Sequence, residues 1–174
     1  IIGAGGVGSA TAYAATLRGS ANDIVLYDID GKRAHAEALD IAHGSMFAHE
    51  AQLTGGDDLE ILRDCDMIII TAGARQEPGQ PRLELAGANV RILEKLLPNL
   101  MEMSPNAIYM LVTKPCDVLT VVAQKITGLP SHRVLSSGTV LDSSRLRWLV
   151  ASKAGVSIKS VHANIIGVPC LVGS

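Results

Sequence analysis

Apolar residues in this chain form two alternating kinds of run, and the alternation predicts its elements. Short unbroken runs read as buried strands at 23–28, 67–71 and 106–113, with shorter candidates at 52–54 and 133–136 and a last one at 159–166. Ile1 and Ile2 read as the end of a further strand that runs through a glycine turn into a helix at 9–17. Other segments carry apolar residues at helical spacing. Ala34, Ala38, Leu39 and Ala42 do so within 32–47, and Leu85, Ala88, Ile92, Leu96 and Leu100 form one stripe within 83–103. Pro98 is expected to kink or divide that long helix, because it lacks a backbone N–H. A short helix is expected at 58–63, another at 116–126 stopped by Gly128 and Pro130, and a third at 139–154 closed by Gly155. Strands alternating with helices, without internal repeats, predict an α/β fold: a doubly wound parallel sheet covered on both faces.

Composition narrows this picture. The 174 residues suit one domain, and apolar residues reach 48% while aromatics are only 3%. Small aliphatic side chains must therefore fill the core, as between parallel strands and covering helices. The net charge of −2, without a basic block, disfavours nucleic acid as a partner. No apolar run is long enough to span a membrane, and no signal peptide is expected. Cys65, Cys116 and Cys170 lack C-x-x-C spacing and read as reduced thiols of a cytoplasmic protein. His35, His43 and His49 do not share one helix face and read as surface or capping residues, so no metal site is expected. The two-residue first strand and the apolar stretch at 171–174 read as cut ends, so the chain is expected to be truncated.

The first candidate chemistry lies in the glycine turn. Gly3, Gly5 and Gly8 fill the G-x-G-x-x-G pattern between a strand and a helix. In such a turn the first glycine permits the tight bend, the second lets a pyrophosphate approach the backbone, and the third lets the helix sit close to the strand. The helix then presents free N–H groups and its positive dipole end to the phosphate. Asp28 ends the next strand, about 20 residues beyond Gly8, where dinucleotide folds place the carboxylate that binds the adenosine ribose hydroxyls. A carboxylate there repels a 2′-phosphate, which favours NAD over NADP. The competing reading of Asp28 is a helix cap or turn residue. The segment at 72–82, rich in Gly and Pro and carrying Arg75 and Arg82, follows a strand. It is expected to be a loop at the carboxyl edge of the sheet, serving as a lid.

Three further segments carry more specific information. They are Thr71-Ala72-Gly73-Ala74-Arg75-Gln76 with Pro78-Gly79 and Arg82-Leu83; Thr113 with Pro115 and Asp117; and Ser137-Gly138-Thr139 with Leu141-Asp142-Ser143-Ser144-Arg145. With these in their spacing, the chain resembles the L-lactate/L-malate dehydrogenase family, and within it the bacterial L-lactate dehydrogenases. The resemblance covers nearly the whole chain. It implies a Rossmann fold and hydride transfer between NAD and a 2-hydroxy acid, in a cytoplasmic, homotetrameric enzyme of glycolysis and pyruvate fermentation.

Residue roles follow from the same resemblance. Arg82 matches the electrophile at the substrate carbonyl. Arg145 matches the planar double donor to the substrate carboxylate. Asp142, three residues earlier on the same helix face, matches the acid that orients a catalytic histidine; an unaided reading of the pair is a surface salt bridge. Gln76 matches the lid position facing the substrate side chain. Its neutral amide implies lactate and pyruvate, whereas a malate enzyme needs a cation, which neighbouring Arg75 keeps as the alternative. Val7, Arg33, Gly73, Ala74, Val112, Thr113 and Ser137 fall at cofactor-contact positions. Arg147 and His162 match a pair that binds fructose 1,6-bisphosphate between subunits; otherwise they read as a surface cation and a strand histidine.

Two departures stand out. Lys114 occupies the place of a family asparagine that contacts substrate and cofactor, and an ammonium has no acceptor to replace the amide. Pro169 occupies the place of the catalytic histidine in the family's Gly-Glu-His-Gly-Asp run, and His162, seven residues earlier, is a poor substitute. The expectation is a cofactor domain over 1–158 and the start of a truncated substrate domain over 159–174, the rest of that second domain being absent. Little turnover is expected of this chain alone. A non-catalytic NAD-binding or subunit-docking fragment is the other reading.

Overall fold

A computed structural model describes residues 1–74 and 82–166, giving the backbone alone for residues 82 and 83. The chain separates into two compact units, Ile1–Leu135 and Ser136–Ser174.

In the first unit, α1 (Gly6–Arg18) begins directly at the glycine turn, three residues before the predicted start, and ends at Gly19 in the left-handed conformation. β1 (Asp23–Tyr27) follows. α2 (Gly31–His43) is capped by the Asp30 carboxylate, which accepts from the Arg33 N–H. Next come β2 (Gln52–Gly56), a 3-10 turn at Leu59–Leu62, and β3 (Met67–Ile70). α3 (Arg82–Met103), β4 (Ile108–Leu111) and α4 (Cys116–Thr127) complete the alternation up to β5 (Val134–Ser136).

The strand pairing is parallel where the sequence predicts it. Asp23 pairs with Gln52 and Tyr27 with Gly56 along β1 and β2; Met67 pairs with Ile108 and Ile70 with Leu111 along β3 and β4. Ile2 forms parallel bridges to both Tyr27 and Ile70, so it stands between the β1–β2 pair and the β3–β4–β5 group. Two cores result. The larger gathers Ile2, Ile68, Ile70, Tyr109 and Leu111 from the sheet with Leu93, Leu97, Leu100 and Leu119 from helices. The smaller is built from Ala4, Ala12, Ala34 and Ala38 against Ile24 and Leu26. Its small residues allow close approach: a side chain on Gly55 of β2 would collide with the Ala34 carbonyl of α2.

Several predicted boundaries move. The helix expected over 32–47 stops at His43, and Ser45–Phe47 forms a separate 3-10 turn after Gly44. The apolar stripe of α2 ends at Ile41, and Met46 and Phe47 are both 87% exposed, so no core contact draws the helix onward. The helix expected over 58–63 is the shorter 3-10 turn. α3 runs undivided through Pro98. Pro98 has no N–H to offer the Glu94 carbonyl, and Glu94 lies on the exposed face, where water can serve it. The predicted stripe of α3 is also displaced. Leu85, Leu93, Leu97 and Leu100 are the buried leucines, while Ala88, Ile92 and Leu96 are half-buried.

The second unit contains α5 (Val140–Ala154), closed by Gly155 in the left-handed conformation, and a 3-10 turn at Ile158–Ser160. The strand predicted at 159–166 is not formed. Side chains of α5 and its N-cap take up this segment's polar groups instead. The Ile165 N–H donates to Ser143 Oγ at 2.9 Å, Thr139 Oγ1 donates to the Ile165 carbonyl, and Arg147 Nε donates to the Ala163 carbonyl at 2.7 Å. A segment tied in this way has no ladder to join. Among the described residues, no helix is long and apolar enough to cross a membrane.

Candidate functional site

A cleft of about 520 Å³ opens in the first unit beside the glycine turn. Gly3, Gly5, Tyr27 and Asp28 border one part of it, and Thr71, Ala72, Gly73 and Ala74 another. Each glycine has a distinct local reason. Gly3 has φ +100, and a Cβ there would lie 2.8 Å from the Ala72 backbone nitrogen. A Cβ on Gly8 would collide with the Gly3 carbonyl. Packing within the protein thus requires both. Gly5 differs: its φ of −77 is ordinary, and nothing lies within 4 Å of the position its Cβ would take. Gly5 is also the N-cap of α1, with no side chain capping the helix. The open space at Gly5 therefore adjoins the N–H end of a helix, which suits an anionic group. Thr71 fixes the turn from the next strand, its hydroxyl lying 3.0 Å from the carbonyls of both Ile2 and Gly3.

Asp28 holds the other side of the turn. One carboxylate oxygen accepts from the Ala4 N–H at 2.7 Å and the other from the Asp30 N–H at 3.0 Å. The cap of α2 is Asp30, not Asp28, so the helix-cap reading of Asp28 is replaced by a turn-holding one at the cleft wall. Arg33, exposed on α2, and Tyr27 border the same end. The Tyr27 phenol is pushed above its ordinary value by burial first, then by the charges of Asp57, Asp28 and Asp58. That acidic surrounding opposes an added phosphate.

At the edge of β3 and β4, Asn89 of α3 is 2% exposed and bridges two loops. Its Oδ1 accepts from the Ala74 N–H at 2.8 Å, and its Nδ2 donates to the Lys114 carbonyl at 2.9 Å. Thr113 Oγ1 donates to the Ala72 carbonyl at 2.7 Å, and the Val112 N–H donates to the Ile70 carbonyl at 2.9 Å. A Cβ on Gly73 would collide with the Thr113 methyl and lie 3.1 Å from Asn89 Oδ1. Lys114 is exposed, its ammonium 3.9 Å from Cys116 Sγ. Val7 is 57% exposed on α1.

In the second unit, Asp142 and Arg145 form the predicted pair on one helix face, 3.4 Å apart, with the Arg145 side chain 65% exposed. Ser137 is half-buried. Arg147 is engaged by the Ala163 carbonyl and by Asn164 Oδ1, and His162 lies exposed on an irregular segment rather than on the predicted strand. Gln76, Arg75, Cys170 and Pro169 lie outside the described residues, as does the side chain of Arg82, whose backbone opens α3. Among the described residues, no group of three or more His, Cys, Asp or Glu could hold a metal ion.

Residues 1–136 match the family model described as lactate/malate dehydrogenase, NAD binding domain. The chain belongs to this family. An L-lactate dehydrogenase of Bifidobacterium animalis subsp. lactis is 54% identical over 96% of this chain and 52% of its own length. One from a Synechococcus strain is 45% identical over 96% of this chain and 54% of its own. Among solved structures, a minor L-lactate dehydrogenase of Enterococcus mundtii superposes with a TM-score of 0.90 at 35% identity, over 96% of this chain and 53% of that one. A Cryptosporidium parvum lactate dehydrogenase, crystallised with lactic acid and nicotinamide adenine dinucleotide, gives 0.87 at 35% identity over 94% and 51%. The chain therefore spans about half the length of the relatives it matches. The fold is the Rossmann type of these dehydrogenases, and NAD is the cofactor of the matched domain.

Sequence reasoning missed several residues of this dehydrogenase cleft. Ile92 and Leu96 line it, although the stripe had placed them in the core, and Tyr27, Leu59, Lys95 and Asn99 also border it. Asn89 had a legible signal: an amide four residues after Leu85 and four before Leu93 interrupts a row of buried leucines. A buried amide at such a place needs partners.

Proposed function

We propose that this chain is the cofactor-binding half of an L-lactate dehydrogenase, and that it holds NAD in the cleft beside Gly5. The observation that carries this reading is the empty Cβ position of Gly5 at the N–H end of α1, in the same cleft as the Asp28 carboxylate. The pyrophosphate rests against the Gly5 backbone and the first N–H groups of α1, near Val7 and Gly8. Asp28 receives the adenosine ribose hydroxyls and, with the acidic groups near Tyr27, excludes a 2′-phosphate. Arg33 flanks that end. Gly73 and Ala74 border the other end, with Thr113 packed behind them through its hydrogen bond to the Ala72 carbonyl and Val112 beside it on the chain. When bound, NAD supplies the hydride acceptor or donor of the reaction.

The residues of the chain serve the substrate as follows. Arg82 polarises the pyruvate carbonyl, Arg145 pairs with the carboxylate, and Asp142 holds the place of the acid that would orient a histidine base. Gln76 keeps the side-chain pocket neutral, which suits lactate and pyruvate over malate. Lys114 adds a positive charge where the relatives' asparagine would stand. Residues 1–158 form the cofactor domain, and 159–174 open the substrate domain. Arg147 and His162 form half of a fructose 1,6-bisphosphate site between subunits of a cytoplasmic homotetramer. With Pro169 in the histidine's place, the chain alone binds NAD and turns over little or no lactate, since a placed general base is worth about 10²–10⁴-fold.

Calorimetric titration of the purified chain with NAD and with NADP, followed by a lactate-oxidation assay, tests this reading. Saturable binding of NAD, weaker binding of NADP and negligible NADH formation are expected. Absence of NAD binding would reject it.

A further inference from the structure

We propose that Asn89 is a positioning residue for the nicotinamide half of the cofactor. The inference rests on the NAD reading above and goes beyond it by naming what sets the geometry of that half. Ile2 stands at the centre of the sheet, with β1 and Asp28 on one side and β3 and β4 on the other. A dinucleotide laid across such a sheet puts its adenosine on the Asp28 side and its second nucleotide over the ends of β3 and β4. Two backbone segments form that second platform, one leaving β3 through Gly73 and Ala74 and the other leaving β4 through Thr113 and Lys114.

Asn89 joins the two segments by one hydrogen bond to each, at 2.8 and 2.9 Å. It reaches them from α3, below the surface, and is 2% exposed, so it is not itself offered to ligand. Both amide atoms are used, and in opposite senses. The Ala74 N–H needs an acceptor and the Lys114 carbonyl needs a donor, which a primary amide supplies together. Gly73 lies against this amide with no room for a side chain. The separation of the two segments is thus set by the length of one side chain. Neither bond bears on Gly5 or Asp28, so the adenosine half is held independently of it.

The test compares NAD with ADP-ribose, which lacks only the nicotinamide ring, by titration of the full chain and of two variants. Asn89→Leu removes both bonds. Asn89→Asp has the same size and keeps the acceptor for the Ala74 N–H, but sets an oxygen against the Lys114 carbonyl. The wild-type chain is expected to bind NAD more tightly than ADP-ribose. The variants are expected to lose about tenfold in NAD affinity while ADP-ribose affinity stays unchanged. Unchanged NAD affinity in folded variants would overturn the proposal. Equal losses for NAD and ADP-ribose would also overturn it, because they would show a general structural role. So would failure of both variants to fold. A wild-type chain that binds ADP-ribose as tightly as NAD would reject the positioning role but leave the cofactor site standing. One that binds neither would reject the NAD reading itself.

Discussion

The carboxylate of Asp28 accepts the Ala4 N–H at 2.7 Å, so the residue proposed to receive the adenosine ribose also holds the glycine turn in place. Asp28→Asn and Asp28→Ser separate the two roles. The asparagine keeps one acceptor oxygen but loses the charge, and its NAD affinity is expected to fall by about tenfold while its discrimination against NADP weakens. The serine also releases the turn, and its melting temperature should fall below that of the asparagine variant. Paired titrations with NAD and NADP, together with thermal melts, check both expectations.

Gly5 and Gly8 are expected to respond in opposite ways. Aspartate is a favoured N-cap, so Gly5→Asp should leave the fold intact or stabilise it by up to about 1 kcal/mol. Its carboxylate would occupy the open space beside Gly5 and repel the pyrophosphate, abolishing NAD binding. Gly8→Ala forces a methyl onto the Gly3 carbonyl and should cost about 1–3 kcal/mol. Urea unfolding and NAD titration of the two variants read both effects.

Removing the Thr71 hydroxyl should loosen the turn from the β3 side. Thr71→Val keeps the shape but leaves the carbonyls of Ile2 and Gly3 without this donor. A loss of about 1–2 kcal/mol in stability is expected, with weaker NAD binding, measured by urea unfolding and titration.

Tyr109 sets an alkaline limit. It is fully buried, and its hydroxyl lies 3.0 Å from the Ser104 carbonyl and 3.2 Å from that of Leu100. Burial pushes its phenol up, with Arg133 opposing and Cys65 adding to the shift. A phenol raised in the folded state leaves stability whole below the ordinary tyrosine value of about 10 and removes it as pH rises above that value. Tyr27, shifted in the same direction, adds to the loss. Tyr109→Phe should cost about 1 kcal/mol near neutrality and flatten the alkaline decline. Urea midpoints measured from about pH 7 to about pH 11 would show both.

The order of elements was legible because two periodicities differ so clearly. The unbroken run Met67-Ile68-Ile69-Ile70 suits a strand inside a sheet, and it pairs on both sides, with Ile68 and Ile70 buried, Ile69 half-buried and Met67 exposed. The segment 159–166 is only half apolar and meets Ser143, Arg147 and Thr139 instead of a neighbouring strand, and sequence periodicity carries no record of the partner. α3 shows the same limit within one helix. A leucine and isoleucine stripe fits either of two adjacent faces, and only packing decides that Leu93 and Leu97 enter the core while Ile92 and Leu96 face the cleft. In the candidate site, Gly3, Gly5, Gly8 and Asp28 stood out because they fill a recurring spacing pattern. Asn89 belongs to no such pattern: its place in a row of leucines signals a need for partners, but not that these are Ala74 and Lys114.

Ile2 gives the molecule a seam. It donates to the Ile69 carbonyl and accepts from Thr71 and Ala72, while the flanking Gly3 N–H donates to Tyr27. Its contact with Thr71 spans 69 residues, whereas each neighbouring pair of strands closes over a shorter stretch. Loop closure of that length is slow relative to local pairing, so the seam should join last during folding. A dinucleotide bound as proposed would rest on both sides and act as a splint across that line. Amide hydrogen exchange at Gly3, Thr71 and Ala72 should slow on adding NAD more than exchange within β2.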